Sequence, residues 1–385
     1  MRKKINTTGH RVQKRSDQKI YRVLLVLGII VGSYILINFA KYIPTLFELV
    51  FQRDISLKTT EHNRINLLLL GIGGGKHDGP NLTDTIILLS IDPQSKRVSL
   101  ISIPRDLWVK DLNAKINSAY ASGESKRPGG GLTLTKAVVT KVLGQKIDYG
   151  LRVDFNGFIK AVDMIGGIDV FVERSFEDKE YPLNGKEADT CGNNEEQLDE
   201  LATASSQLDA FPCRYETLSF QKGKQHMDGE TALKFVRSRH GTNGEGSDFA
   251  RSKRQEKIIK SFREKVLSAQ TFLNPVRLIS LYEVFKGSID TDILPNELDD
   301  FIKLAKSLEN SPLNTQVLDS GGEEGRPGLL INPPISSDYR YQWVIIPRAG
   351  VEDYSEIHQY VDCEVKIGEC AVTPTRSVSG GNSIE

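Results

Sequence analysis

The residues best suited to chemistry in this chain are arginines clustered between Gly229 and Gln255, in the stretch GETALKFVRSRHGTNGEGSDFARSKRQ. Residues Glu230–Val236 are good helix formers and predict a short helix. Arg237 and Arg239 leave its end two residues apart. A Gly/Asn/Ser loop follows, and Asp248 stands where a helix N-cap belongs. A second helix is expected over Phe249–Leu267, with Ile258, Ile259, Phe262 and Val266 on one face. Stepping back four and seven residues from that apolar stripe lands on Arg251, Arg254 and Gln255. Guanidinium groups on an inward face need an anion, because an unpaired buried charge is costly. Arg237, Arg239, Arg251 and Gln255 therefore read as a cage for a polyanion, and phosphate suits forked donors. A solvated basic helix also fits the stretch, given Lys253, Lys257, Lys260, Arg263 and Lys265.

Two further segments bring chemistry to strand ends. The run Ile65–Leu70, apolar apart from Asn66, reads as a strand buried on both faces. It ends in GIGGGKHDGPNLTD, which is no Walker loop, because His77 follows Lys76 where Ser or Thr is required. It leads into a strand, TIILLSID, and so is no dinucleotide fingerprint either. Such a loop brings backbone close to a ligand, or is simply a wide turn. His77, Asp78 and Asp84 offer ligands to a hard cation, although a lone loop carboxylate is commonly just solvated. After a third strand, RVSLISI, come Pro104, Arg105 and Asp106, delivering Arg105 to the sheet edge where α/β proteins bind ligands.

The elements that must position these groups alternate. KINSAYASG and LTLTKAVVTKVLG read as helices, LRVDF as a strand, NGFIKAVDMIGG as a helix and IDVFV as a strand. This predicts an α/β fold, a central mixed β-sheet covered by helices. Residues 175–220 break the pattern as an acidic insertion or lid with a short helix in NEEQLDELATASSQL. FLNPVRLISLYEVF and PNELDDFIKLAKSL are amphipathic helices, YQWVIIP is a strand, and the tail 371–385 is expected to be disordered.

Lys plus Arg equals Asp plus Glu, 50 of each, which argues against a dedicated nucleic-acid binder. Charge is instead concentrated at the N-terminus, where residues 1–22 are basic apart from Asp17. The uncharged run Val23–Ala40 would span about 27 Å as a helix, close to the bilayer core. A cleaved signal peptide is the rival, but Asn38-Phe39-Ala40 is a poor cleavage site. The expected layout is a cytoplasmic tail over 1–22, one transmembrane helix over 23–43, a stalk over 44–62 and everything beyond outside the cell. Residues 63–270 would form the main domain, with 271–370 closing it. Cys191, Cys213, Cys363 and Cys370 all fall outside, where an even count suggests disulfides. Sequential pairing, 191 with 213 and 363 with 370, is the expectation.

Several stretches occur in one order: INLLLLG, LTDTIILLSID, VSLISIPRDLWV, KINSAYASG, YGLRVDFNGFIKAVDMIGGIDV, GKQHMDGETALKFVRSRH and DFARSKRQEKII. Together they closely resemble the LytR-CpsA-Psr family of bacterial cell-envelope proteins over about Asn63–Leu267. The resemblance implies an α-β-α domain that holds a polyprenyl-pyrophosphate-linked glycopolymer and transfers its glycosyl phosphate to a peptidoglycan hydroxyl, with magnesium (Mg2+) as cofactor. It implies that Arg105, Arg237, Arg239, Arg251 and Gln255 grip the pyrophosphate and that Asp84 helps hold the metal. It also implies a lipid tunnel beneath the sheet, suiting the apolar faces of the 132–144 and 156–165 helices. One departure is visible. The family usually has an aspartate two residues after the glycine ending the first strand, and here that position is Gly73. Asp84 then serves as the main metal ligand and Asp78 as an auxiliary. Asp106 or Asp248 would take the acceptor's proton or merely orient an arginine. A monomer at the bilayer is the expected assembly. Rival functions are a polyprenyl-pyrophosphate pyrophosphatase, a non-catalytic lipid-glycan carrier and a transcription regulator, the last at odds with the anchor topology. No G-x-S-x-G or H-E-x-x-H motif supports a serine hydrolase or a zinc protease.

Overall fold

The computed structural model describes residues 55–60, 63–75, 79–183, 185–201, 203–204, 206–267, 288–321, 327–368 and 370–372. The expected tail, the transmembrane helix, most of the stalk, the helix at 272–285 and Asp78 lie outside the described residues. No helix among the described residues is long and apolar enough to cross a membrane. The chain divides into two compact units, Met1–Ser56 with Asn296–Lys303, and Leu57–Pro295 with Leu304–Glu385. In the first unit, Ser56 N donates to Asp300 Oδ2 (3.0 Å), and Lys303 Nζ lies 3.1 Å from Asp299 and 3.2 Å from Asp300.

The larger unit opens with β1 (Ile65–Ile72), β2 (Thr83–Asp92) and β3 (Arg97–Ser102), an antiparallel run. Asp92 turns β2 into β3 by accepting the backbone N–H groups of Gln94 and Ser95 at 2.9 and 3.1 Å. A small pair follows, β4 (Trp108–Val109) with β5 (Ala114–Lys115). Next come α1 (Ala119–Lys126), α2 (Gly131–Leu143), β6 (Tyr149–Asp154) and α3 (Phe155–Met164). The chain continues through β7 (Ile168–Val172), β8 (Phe176–Pro182), α4 (Glu195–Leu201), α5 (Gln207–Ala210), β9 (Tyr215–Phe220) and β10 (Gly223–Met227). Then come α6 (Gly229–Arg237), α7 (Asp248–Leu267) and β11 (Ile289–Thr291), while α8 (Leu298–Ser307) belongs to the first unit as far as Lys303. The end is built from β12 (Leu313–Val317), β13 (Leu330–Ile331), β14 (Ile346–Pro347) and α9 (Ser355–Lys366).

The central sheet has strand order β11-β6-β1-β2-β3-β12, with β6 parallel to β1 and β12 parallel to β3. It is the mixed sheet the alternation predicts. IDVFV, however, is not part of it: β7 pairs with β10 in a separate ribbon. Its pattern alternates between buried and exposed, as expected of a strand with one solvated face. The acidic insertion is rooted in a second ribbon, β8 against β9, and its predicted single helix is two short ones. YQWVIIP yields only the two-residue strand β14, because the preceding backbone turns at Arg340 and Tyr341. Both expected disulfides are present, Cys191–Cys213 and Cys363–Cys370.

One face of the sheet, carrying Leu68, Leu70, Leu88 and Ile101, packs with α2 and α9 into the main core. Val139, Val142 and Leu143 are fully buried there. The apolar face of 132–144, which the resemblance would set along a lipid tunnel, packs here against the sheet. The apolar face of α3 is likewise committed, Val162 lying in a second core with β7 to β10, α6 and α7. There α6 begins hard against α3. A Cβ on Gly229 would lie 2.2 Å from the carbonyl oxygen of Ile159, so only glycine fits.

Candidate functional site

A register shift in the first strand pair creates the site. Gly71 faces Thr85 and Ile72 faces Thr83, leaving Asp84 as the extra residue of a bulge. Bulges re-aim side chains, and the Asp84 carboxylate meets Arg105, whose Nη1 donates to its Oδ1. Arg239 Nη2 lies 4.0 Å from the same oxygen. Two arginines remote in sequence thus converge on one carboxylate at the C-terminal end of β3.

Asp106 steadies this corner. Its Oδ1 accepts from Lys115 Nζ at 2.6 Å, and its Oδ2 lies 3.5 Å from Arg105 Nε. That Nε is buried without a hydrogen-bond partner. Asp106 therefore orients cations, the role the sequence reading left open beside proton transfer. Arg105, Lys115 and Arg239 carry one more charge than Asp84 and Asp106 balance, so the corner attracts anions.

Arg239 is held by a residue the sequence did not reveal. Asp178 of β8 is fully buried. Its carboxylate accepts from Ser238 Oγ (2.6 Å) and from the backbone N–H groups of Arg239 (3.0 Å), His240 (3.2 Å) and Glu180 (3.0 Å). Burial alone would push this carboxyl up, but those four donors outweigh it and hold it below the usual aspartate range. The turn after α6 is thereby fixed from one side.

Arg254 fixes it from the other. Its Nε donates to Phe235 O at 2.8 Å and its Nη2 to Ser238 O at 2.6 Å, while Nη1 reaches Glu245 O and Oε2 at 2.7 and 2.8 Å. The first two are carbonyls left over at the end of α6, the partners a cation at a helix C-terminus should find. Arg254 belongs to the cationic stripe by spacing, but the structure makes it a staple between α6 and α7. Periodicity assigned the face and could not separate these two tasks.

The next residue, Gln255, donates from Nε2 to Thr85 Oγ1 at 3.2 Å, beside the bulge. Arg251 precedes it by four residues on the same face of α7, half-buried. Arg237 sits with its guanidinium 4.3 Å above the Phe155 ring, Nη1 donating to Tyr181 OH at 3.1 Å. Burial pushes that phenol's pKa up. Tyr181 and Phe155 are aromatic supports that no sequence pattern announced. The helix is capped by Ser247, whose Oγ accepts from Ala250 N at 3.1 Å, and not by Asp248, which is already helical. Lys257 pairs with the exposed Glu173, just beyond β7, at 2.9 Å.

The glycine loop approaches closely, as its composition suggests. Gly74 has φ +67°, and a Cβ there would lie 2.8 Å from Asp154 Cβ. Asp154 itself caps α3, accepting from Gly157 N at 2.8 Å. Among the described residues, the one grouping with metal-ligand spacing is Asp189, Cys191 and Cys213, and its cysteines are oxidised to a disulfide. Asp84 offers one carboxylate with one oxygen already on Arg105, and Asp78 lies outside the described residues. That is too little for a bare cation, but it suits magnesium arriving with phosphate oxygens and water.

Comparison with known proteins agrees with this architecture. The model of the LytR_cpsA_psr family matches residues 48–324. The polyisoprenyl-teichoic acid–peptidoglycan teichoic acid transferase TagU of Bacillus cereus is 26% identical over 310 residues, covering 76% of this chain and 85% of that one. TagV of Bacillus subtilis, named as the same kind of transferase, is 28% identical over 217 residues, covering 55% of this chain and 45% of that one. Its crystal structure superposes with a TM-score of 0.53 at 22% identity, covering 82% of this chain and 100% of that one. The structure of gbs0355 from Streptococcus agalactiae gives 0.54 at 20% identity, with 80% and 91% covered. These solved structures share the fold. Ordered motifs, mixed sheet and matched length agree: the chain belongs to the LytR_cpsA_psr family.

Proposed function

We propose that this protein moves a glycopolymer from a polyprenyl-pyrophosphate carrier to peptidoglycan, from a membrane-anchored domain outside the cell. The observation that carries the reading is the convergence of Arg105 and Arg239 on Asp84, beside Gln255 at Thr85. Arg237 and Arg251 complete the grip on the pyrophosphate. Relatives named as teichoic acid transferases support the reaction class. Two disulfides support export.

In the reaction a peptidoglycan hydroxyl attacks the glycan-bearing phosphorus. The bond to the bridging oxygen breaks and polyprenyl phosphate leaves. Such transfer depends on positioning and charge neutralisation. Arg105 and Arg239 bind and orient the phosphoryl oxygens, Asp106 with Lys115 holds Arg105 in place, and Gln255 donates from α7. Asp248, which opens α7 one turn ahead of Arg251, is the candidate acceptor for the hydroxyl proton. Magnesium, held by Asp84 with Asp78 as auxiliary, would supply further neutralisation of the leaving phosphate.

The prenyl chain is assigned to the sheet face opposite the main core. Thr85, Ile87 and Leu89 follow one another on that face of β2, paired with Gly71, Leu69 and Leu67. Leu69 and Leu89 are only half-buried beside the buried Ile87 and Leu67, and the half-buried pair marks the proposed path away from the donor site. The deciding experiment supplies purified lipid-linked glycopolymer with and without peptidoglycan. Polymer bound to peptidoglycan supports transfer, whereas release of free glycan phosphate regardless of acceptor would make the protein a pyrophosphatase.

A further inference from the structure

The reaction proposed above needs a second substrate, and the segment following β13 is built to receive it. Its inner face is rigid. Trp108 packs with Val344 and Ile346, and Tyr339 meets the Trp108 ring edge-on at 5.7 Å. Asn332 Nδ2 donates to Val344 O at 2.6 Å, and Ser336 O accepts from both Tyr339 N and Tyr341 N. Its outer face is aromatic. Tyr341 is 75% exposed, Trp343 49% and Ile335 62%, a concentration of large apolar side chains that a solvated loop does not need.

Two observations tie this surface to the site. Ile345 N donates to Asp106 O, and Trp108 N donates to Ile345 O, a parallel bridge that runs the segment alongside the backbone of Asp106 and Leu107. Trp343 is therefore two residues from a direct hydrogen-bonded neighbour of the Arg105 corner. In addition, Arg340 and Tyr341 are both left-handed, at φ +54° and +56°. Non-glycine residues adopt that conformation where surrounding structure enforces it, and such sites cluster at ligand clamps. The backbone is held so that Tyr341 stands out into solvent.

We propose that Tyr341 and Trp343 form the acceptor subsite, a stacking platform for the glycan strand of peptidoglycan. Pyranose rings present apolar C–H faces to aromatic rings, and their hydroxyl and amide groups find partners in Asp338, Arg340 and Gln342 interleaved with the platform. A lipid surface is the competing occupant of an exposed aromatic patch. The composition disfavours it: Arg340 is the sole Lys or Arg between Asn332 and Ile345 and is offset by Asp338, so the patch lacks the basic cluster that anionic lipid attracts. The segment lies beyond residues 48–324, the range the family model matches.

The proposal rests on the transferase reading but is tested apart from it. The probe is peptide-free peptidoglycan glycan strands added to the intact protein without donor. The chain has two tryptophans, and Trp108 is buried, so a strand-dependent change in tryptophan emission reports Trp343. The wild type should show that change. Tyr341→Ala with Trp343→Ala should weaken strand binding at least tenfold, measured by calorimetry, while Tyr341→Phe retains it within about twofold. Binding of geranylgeranyl pyrophosphate should be unaffected by either variant. Wild-type emission unaltered by strands, or undiminished strand binding in the double alanine variant, would overturn the platform. So would loss of binding to phosphatidylglycerol vesicles in that variant when the wild type ignores strands. Failure of geranylgeranyl pyrophosphate to bind the wild type would count against the donor site instead, leaving the strand measurement readable.

Discussion

Replacing Asp178 by asparagine should loosen the arm that carries Arg239. The native carboxylate accepts four hydrogen bonds, three of them on Oδ2 from Ser238 Oγ, Arg239 N and His240 N, and one on Oδ1 from Glu180 N. An amide can keep its oxygen towards the three-donor side, but its NH2 then faces Glu180 N, donor against donor, inside a site with no solvent. Hydrogen bonds to a charged acceptor are worth about 1.5–3 kcal/mol, so losing one outright and weakening the rest should cost about 3 kcal/mol. The pH dependence has a definite sign. The folded pKa lies below the unfolded value of about 3.9, so the carboxylate's contribution is complete above that value and disappears as pH falls through the folded pKa. Urea unfolding at pH 7 should show the full difference between wild type and Asp178→Asn, and the gap should narrow below about pH 4. A difference under about 0.5 kcal/mol at pH 7, or one that persists unchanged into acid, would refute the role given to Asp178.

Arg254→Lys keeps the charge but cannot fork to three carbonyl groups, and should destabilise by about 3 kcal/mol in thermal unfolding. Cys191→Ser with Cys213→Ser opens a loop of sequence separation 22 and should cost about 3 kcal/mol, read as a shifted urea midpoint. Asp84→Ala should abolish turnover at ordinary magnesium while Asp78→Ala only raises the magnesium requirement. Magnesium titrations of activity that match the wild type would remove either residue from the metal site.

Much of the fold was legible because it depends on local pattern. Ile65–Leu70 is apolar apart from Asn66 and lies in the sheet interior, and Gly144 ends its helix in the left-handed conformation that glycine allows. Helical spacing put the candidate site residues Arg251 and Gln255 on one face of α7. What spacing cannot do is say which inward arginine is spent on backbone carbonyls. Arg254 is consumed by carbonyls contributed by α6 and the loop at Glu245, a tertiary fact. Asp178 was invisible for the same reason, one acid among many in a segment whose strands pair with each other. Lys115 reaches Asp106 only because a two-stranded turn folds it back. Asp84 could be nominated from its position, but the bulge that aims it arises from a register shift that no single strand encodes.

The central claim is that Arg105, Arg237, Arg239, Arg251 and Gln255 hold one prenyl pyrophosphate. Calorimetric titration with geranylgeranyl pyrophosphate tests it most directly, comparing the wild type with Arg251→Ala. Loss of one charge-assisted contact of about 1.5–3 kcal/mol predicts roughly ten- to a hundredfold weaker binding. Lys257→Ala, which removes a pairing with Glu173 away from the site, should bind like the wild type. Equal affinity of Arg251→Ala and wild type, or equal losses from both substitutions, would contradict the cage.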